Sequence, residues 1–440
     1  MRISMIGAGY VGLVSGACFA DFGHQVTCID HDESRVAMLN SGKVPIYEPE
    51  LDKVIASNVA AQRLSFGTDL KSAAADADAI FIAVGTPSRR GDGHADLSYV
   101  YAAARDIAEV ISDSTIIVTK STVPVETGDE VERIVRSHRK NIDTPVVSNP
   151  EFLREGAAVY DFKHPDRIVI GTDNQHARDV MTEIYRPLHL NASPILYTDR
   201  RSAELIKYAS NAFLGTKISF INEMADLCEK VGANIKDISR GMGLDKRIGP
   251  KFLHPGPGFG GSCIPKDALA LLQTARDHDA PLRIVETVVD VNEHRKRAMA
   301  KKVAAALGGS LRDKVIAVLG LTFKPNTDDV RESPSIPLVA ALQDFGAIVR
   351  AYDPAGMERA RDVMDGVTFC SSAYDCAEDA DAIVIMTEWD QFRALDLKRL
   401  SAVMSRPVII DLRNIYNPDE IVKGGFVYSG IGRPLSLLTY

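Results

Sequence analysis

The sequence has little that could bind a metal or form a disulfide framework. Its six cysteines, Cys18, Cys28, Cys228, Cys263, Cys370 and Cys376, contain no CxxC pair and no zinc spacing, which excludes the common cysteine-based motifs. Its ten histidines form no HExxH or comparable cluster, so no metal site is expected. Long hydrophobic runs are missing too: none approaches the ~18 residues that a membrane-crossing helix requires. The opening stretch MRISMIGAGY starts a strand directly, without a signal-peptide layout. These absences point to a reduced, cytoplasmic compartment. No basic stretch offsets the formal net charge of −8, which argues against nucleic acid or an anionic membrane as partner. An anionic ligand would need positive charge gathered locally against that field. No low-complexity tract or short-period repeat interrupts the chain.

What is present is the balance of a soluble globular protein: 440 residues, 45% hydrophobic and 25% charged, enough for two or three domains. In the first part of the chain, RISMIG, QVTCID, AIFIAVG, TIIVTKS, PVVSNP and RIVIG read as buried parallel strands. Stretches of helical period, such as VGLVSGACFADFG, separate them. The pattern changes near Arg201. SAELIKYASNAFLGTKISFINEMADLCEKVG contains no proline and predicts one long helix, and residues 282–307 predict another. GGSLRDK, at 308–314, breaks the latter, and VIAVLGL, IVRAYDP, AIVIMTEW and PVIIDLRN restore the alternation. The expected fold is α/β: two Rossmann-like doubly wound domains joined by a long central helix and an α-helical middle domain. The expected boundaries are 1–198, 199–307 and 308–440, with the apolar middle helices as the face of a homodimer or higher homo-oligomer.

Strand RISMIG runs into GAGYVG, so Gly7, Gly9 and Gly12 fill G-x-G-x-x-G between a strand and a helix. The first glycine permits the tight turn, the second lets a pyrophosphate approach the backbone, and the third lets helix and strand pack closely. The helix N-terminus then offers its N–H groups to the phosphates. Asp30 ends the next strand, where a carboxylate accepts from both ribose hydroxyls and repels a 2′-phosphate, favouring NAD over NADP. Arg35 lies near enough to complicate that preference. Thr86 in AVGTP, and Ser121 and Thr122 in VTKSTVP, stand at further strand ends, the edge where open α/β sheets bind ligands.

HPGPGFGGSCIPKD, residues 254–267, surrounds one thiol with glycines. Gly258, Gly260 and Gly261 are expected to let backbone N–H groups approach a ligand. Pro265 suits the first turn of a helix, which puts Cys263 at a helix N-terminus where the dipole and Lys266 favour thiolate. Cys18, Cys28 and Cys228 lie in apolar patterns and read as core. An NAD enzyme with a nucleophilic thiol can oxidise beyond the aldehyde: thiolate adds to the aldehyde, hydride loss gives a thioester, and water releases a carboxylate. Such a path needs an oxyanion stabiliser and a base for the water. Lys207 and Asn211, four apart on the long helix, share a face from which both can donate to an oxyanion. NPEFLREG supplies Glu151 and Glu155. Asp267 is read as orienting a water or pairing with Lys207.

GAGYVG, GTP, KSTVP, NPEFLREG, the ELIKYASNAF helix, GFGGSCIPKD and FKPNTDDVRES follow one another along nearly the whole chain. In this the sequence closely resembles the UDP-glucose/GDP-mannose dehydrogenase family. The resemblance implies two successive NAD-dependent oxidations of UDP-glucose to UDP-glucuronate, with GDP-mannose or UDP-N-acetylmannosamine as alternative substrates. It implies Cys263 as nucleophile, Lys207 and Asn211 as oxyanion stabilisers, and Asp267 beside them. It implies that Glu151 serves thioester hydrolysis through a water held by Thr122. Val11, Asp30, Arg35, Thr122, Glu155, Lys266 and Arg331 would contact NAD. Glu151, Phe152, Leu153, Arg154 and Glu155 would hold the UDP-sugar, together with Phe252, Leu253, His254, Pro255, Gly256, Gly260 and Lys324. Arg247 would reach the substrate of a neighbouring subunit. Ile264 stands where many relatives carry an aromatic, which touches packing rather than chemistry. A single-step hydroxyacid dehydrogenase would need neither the thiol nor a third domain, and an NAD-binding sensor would be inert to loss of Cys263.

Overall fold

A computed structural model describes residues 1–89, 93–112, 114–139, 144–189 and 193–434. The end of the expected C-terminal domain, 435–440, lies outside the described residues. The chain forms two units, Met1–Ser210 with Gln273–Ala280, and Asn211–Leu272 with Pro281–Tyr440.

The first unit is built on strands β1 (Arg2–Ile6), β2 (Gln25–Ile29), β3 (Leu64–Gly67), β4 (Ala79–Ile82), β5 (Ile116–Thr119), β6 (Val146–Ser148), β7 (Ile168–Gly171) and β8 (Ile195–Thr198). Their order is β3-β2-β1-β4-β5-β6-β7-β8. β4 and β5 are buried at every residue, as unbroken apolar runs covered by helices on both faces must be. RIVIG, expected as one more parallel strand, departs from that reading: β7 meets β6 antiparallel through Ser148 and Gly171, and only its other edge, toward β8, is parallel. Strand direction is set by the connection, not by side-chain pattern, so an apolar run alone cannot report it. The chain reverses its winding at β1, which lies between β2 and β4. That switch point opens a crevice at the carboxyl ends of the strands.

The second unit begins inside the helix Arg200–Val231, whose 32 residues contain no proline. Gly215 lets this helix pack against the next layer: a Cβ there would lie 3.2 Å from Ile264 Cγ2 and 3.5 Å from the Phe259 ring. Helices Ile235–Gly243, Ile264–Asp277 and Arg283–Ala306 follow. The second sheet holds β9 (Val315–Leu319), β10 (Ile348–Tyr352), β11 (Val367–Phe369), β12 (Ala382–Ile385), β13 (Val408–Asp411) and β14 (Val427–Gly430). All its pairings are parallel, in the order β11-β10-β9-β12-β13-β14. Met299, Ala300 and Val303 of the Arg283–Ala306 helix share a core with Ile316 and Val318 of β9.

The two sheets repeat one plan. Each places its first strand between its second and fourth. Gly7 after β1 and Gly320 after β9 take φ of 100° and 98°, left-handed values that glycine reaches without strain. Asp30 after β2 accepts from Ala8 N at 2.8 Å, and Asp353 after β10 accepts from Leu321 N at 2.7 Å.

Candidate active site

In the first unit, the three glycines of GAGYVG do different work. Gly7 turns the chain with φ 100°, and a Cβ on it would meet Ala83 O at 2.6 Å. A Cβ on Gly12 would sit 1.8 Å from Gly7 O, so only glycine lets the helix approach the strand there. Gly9 has nothing within 4 Å of where its Cβ would be. It is the N-cap of the helix Tyr10–Asp21 and no side chain caps that end. Open space before bare helical N–H groups fits a dinucleotide pyrophosphate. Val11 is half-buried and packs against the core beneath. The Asp30 carboxylate is buried and accepts from Ala8 N, Asp32 N (3.0 Å) and Arg35 Nη1 (3.1 Å). Arg35 therefore turns toward Asp30, and the pair stands at the strand end where a dinucleotide-binding sheet could receive a ribose. The Thr86 hydroxyl donates to Thr122 O at 2.9 Å, and the Ser121 hydroxyl to Val84 O at 2.7 Å. Both tie the loops after β4 and β5 together.

The Asn149–Gly156 loop follows β6 and reaches the long helix. Glu151 is 5% exposed, and its carboxylate accepts from Thr122 Oγ1 at 3.5 Å, Lys207 Nζ at 3.3 Å and Leu153 N at 2.5 Å. Lys207 is itself buried. Thr122, Glu151 and Lys207 thus come together as a hydroxyl, a carboxylate and an ammonium. The Phe152 ring faces two cations, Lys207 Nζ 5.3 Å and the Arg167 guanidinium 3.5 Å from its centroid. Arg154 is held by Asp161 at 2.9 and 2.6 Å. Burial first, then the hydrogen bond to Glu48 and that residue's charge, hold the Tyr10 phenol above its ordinary range, and the charge of nearby Glu155 adds to them.

Two residues here escaped sequence reasoning. Lys120, after β5, is buried with its ammonium 3.1 Å from Asn149 Oδ1 and 2.9 Å from the Tyr185 hydroxyl, and burial brings it down to about 7. Glu204, three residues before Lys207 on the long helix, accepts from Gly128 N, Glu126 N and Ser148 Oγ, each at 2.8 Å, and burial pushes it up to about 7. A charge inside an otherwise buried motif, VTKSTVP, and a carboxylate on the helical face of Lys207 were the available signals.

The second unit holds the thiol. Cys263 is half-buried, whereas the other five cysteines are buried. It immediately precedes the helix Ile264–Asp277, and its carbonyl accepts from Asp267 N at 2.9 Å. Asp267 is 1% exposed; it accepts from Asn211 Nδ2 at 2.6 Å and from Lys266 Nζ at 2.7 Å. Asn211 and Lys266 are thus the donors that meet the carboxylate expected to orient a water or pair with Lys207. The Ser262 hydroxyl lies 3.4 Å from Cys263 Sγ.

The glycines before Cys263 have a reason beyond the expected approach of a ligand. A Cβ on Gly260 would lie 2.2 Å from Glu332 O, and one on Gly261 2.7 Å from the Phe323 ring. The loop is clamped from within its own unit. Gly256 N donates to Asn222 Oδ1 at 2.8 Å, Arg295 Nε donates to Gly256 O at 2.7 Å, and Asn292 holds both Phe259 N (2.8 Å) and Phe259 O (3.1 Å). Phe252 takes φ 65°, Leu253 is buried, His254 is exposed and Pro255 half-buried. Lys324 Nζ lies 5.4 Å from the Phe323 ring. Arg331 folds onto Asp329 at 2.9 and 2.8 Å. Arg247 is exposed and paired with Asp245 at 2.6 Å. Among the described residues no group of His, Cys, Asp or Glu is arranged to hold a metal ion, and no helix is long and apolar enough to cross a membrane.

Comparison with known proteins gives three consecutive matches to the UDP-glucose/GDP-mannose dehydrogenase family: its NAD binding domain over residues 1–189, its central domain over 201–294 and its UDP binding domain over 317–418. A UDP-glucose 6-dehydrogenase of Rhizobium meliloti (strain 1021) is 65% identical over 436 residues, 99% of this chain and 100% of that protein. The UDP-glucose 6-dehydrogenase TuaD of Bacillus subtilis (strain 168) is 46% identical over 98% of this chain and 93% of its own. Among solved structures, a UDP-glucose dehydrogenase from the hyperthermophilic archaeon Pyrobaculum islandicum superposes with a TM-score of 0.90 at 39% identity, covering 98% of this chain and 97% of that one.

Proposed function

Because the chain belongs to the UDP-glucose/GDP-mannose dehydrogenase family, we propose that it oxidises UDP-glucose to UDP-glucuronate, reducing two NAD per sugar. Support for the sugar comes from the full-length similarity to chains named for UDP-glucose. NAD, when bound, accepts the hydride of each oxidation. The chain supplies everything else. Gly9 and the bare start of the Tyr10–Asp21 helix receive the pyrophosphate, and Asp30 with Arg35 receives the ribose. The alcohol carbon loses a hydride and its oxygen a proton, leaving an aldehyde. The Cys263 thiolate then adds to the aldehyde carbon, and Lys207 and Asn211 donate to the oxyanion. A second hydride loss turns the thiohemiacetal into a thioester. Water, positioned by Thr122 and activated through Glu151, cleaves the C–S bond, and thiol and carboxylate result.

The observation that carries this reading is Cys263, the one half-exposed thiol, at the start of a helix whose first turn holds the buried Asp267, to which Asn211 of the long helix donates. Residues 1–198 are assigned to the dinucleotide, 199–307 to the thiol, the Phe252–Gly256 loop that holds the UDP-sugar and a dimer face, and 308–440 to the UDP end of the substrate, through Lys324. The protein acts in the cytoplasm, where six cysteines that form no disulfide stay reduced. It acts as a homodimer, for which the apolar stripe Phe213, Phe220 and Leu227 on the long helix provides a face.

The test is stoichiometric. Limiting UDP-glucose with excess NAD should yield two NADH per sugar. One per sugar would mean that oxidation stops at the aldehyde, against the role of Cys263. None, with turnover of GDP-mannose or UDP-N-acetylmannosamine instead, would move the substrate and keep the chemistry.

A further inference from the structure

Between the second and third helices of the first unit lies SGKVPIYEPE, a stretch that no motif claimed. Val44 and Ile46 pack on the core of that unit. Glu48, between the exposed Tyr47 and Pro49, is turned inward and is 7% exposed. Its carboxylate gathers three donors. Tyr10, the residue between Gly9 and Val11 at the start of the pyrophosphate-binding helix, donates its hydroxyl. Gly156 N donates to Oε2 at 2.6 Å and Ala158 N to Oε1 at 2.7 Å. Gly156 has φ 76°, which turns the chain after Glu155 so that both N–H groups aim at one carboxylate. One buried anion therefore joins the turn that receives NAD to the end of the loop carrying Glu151, Phe152, Arg154 and Glu155. Charge-assisted bonds of this kind are stronger and more directional than neutral ones.

We propose that Glu48 is a positioning residue: it fixes the Glu151–Gly156 loop against the dinucleotide turn, and so sets the affinity for NAD and the placement of Glu155 and Glu151. The part concerning Glu151 rests on the function proposed above, while the part concerning NAD does not.

Glu48→Gln keeps the size but replaces one acceptor oxygen by an amide that faces an N–H or the phenol. Tyr10→Phe removes one hydroxyl and nothing else. Three readouts apply: NADH affinity from its own fluorescence, amide hydrogen exchange at Gly156 and Ala158, and KM against kcat. For Glu48→Gln the NADH Kd and the KM for NAD should rise about tenfold, the loss of one strong bond, and kcat should fall about threefold or more as Glu151 loses its placement. Exchange at both amides should quicken. Tyr10→Phe should move NADH affinity in the same direction, by about threefold. Unchanged NADH affinity in a folded Glu48→Gln protein would overturn the proposal, whether or not exchange quickens. If Glu48→Gln does not fold, Tyr10→Phe decides, and unchanged affinity there overturns it. A wild-type chain inert to every nucleotide sugar would defeat the functional reading yet leave the affinity and exchange results readable.

Discussion

Burial pushes the thiols of Cys18 and Cys28 up to about 12, which removes them from thiolate chemistry at neutral pH. Cys370 is drawn below the ordinary thiol value, first by the Cys376 thiol and then by Arg350, but it is buried in the second sheet's core. The two thiols that deserve comparison are therefore Cys263 and Cys370. Cys263→Ser should lower acid formation by about a thousandfold or more, since loss of a covalent nucleophile removes the route itself. Cys370→Ser should change it less than about twofold; the reverse ranking in a product assay would place the nucleophile elsewhere. Lys120 gives a second residue-scale test. Folded, it is neutral above a pH of about 7; unfolded, it holds its proton to its ordinary 10.5. In that window the unfolded chain binds more protons, so stability rises with pH. Wild type should gain on Lys120→Met by up to ~1.4 kcal/mol per pH unit above neutrality in urea melts; a flat difference would mean that the ammonium stays charged inside. The sequence announced Cys263 through its glycines and Pro265, and Asp30 through its spacing. Lys120 and Glu204 left only faint signals, a charge in VTKSTVP and a carboxylate one turn from Lys207, because a lysine or glutamate in a motif looks the same whether its environment is water or packed core.

At the scale of elements, Phe213, Phe220 and Leu227 recur every seven residues on the Arg200–Val231 helix and remain 64%, 48% and 51% exposed. A seven-residue apolar repeat on a long helix is the pattern of a helix that pairs with another. A two-fold axis would bring the same stripe from a second copy against it. Phe220→Glu should then shift the mass in solution, read by light scattering, from twice to once the 47.8 kDa of one chain; a wild type already at the single-chain mass would remove the dimer. The proline-free run made this helix legible, and the unbroken apolar runs of β4, β5, β12 and β13 made those strands legible. What stayed hidden were β3, β8, β11 and β14. Three of them, β3, β8 and β11, lie half-exposed with mixed patterns, and β3, β8, β11 and β14 are the four sheet edges. An edge strand needs apolar residues on less of its surface, so its periodicity fades.

At the scale of the whole molecule, the chain carries one strand plan in both sheets and uses it for different ends. The acid after the second strand is the point of divergence. Asp30 accepts from two backbone N–H groups and Arg35, beside a helix start that is open at Gly9. Asp353 is enclosed: Leu321 N, Thr322 N, Thr322 Oγ1, Ala355 N, Gly356 N and Trp389 Nε1 all donate to it. A Cβ on Gly320 would meet Thr387 at 2.5 Å. The second acid is therefore a keystone of its own turn, and the first is the one proposed above to meet the dinucleotide. Asp353→Ala strands six donors, so it should destabilise the protein by about 4 kcal/mol or more while leaving the NADH Kd within about twofold. Asp30→Ala should do the opposite, weakening NADH binding about tenfold or more with a stability loss of about 1–2 kcal/mol. Trp389, the chain's one tryptophan, touches Asp353, so intrinsic fluorescence in a urea titration follows the second sheet directly, and NADH fluorescence follows the first. Equal loss of NADH affinity in both variants would mean that the two acids share one function and that the repeated plan never diverged.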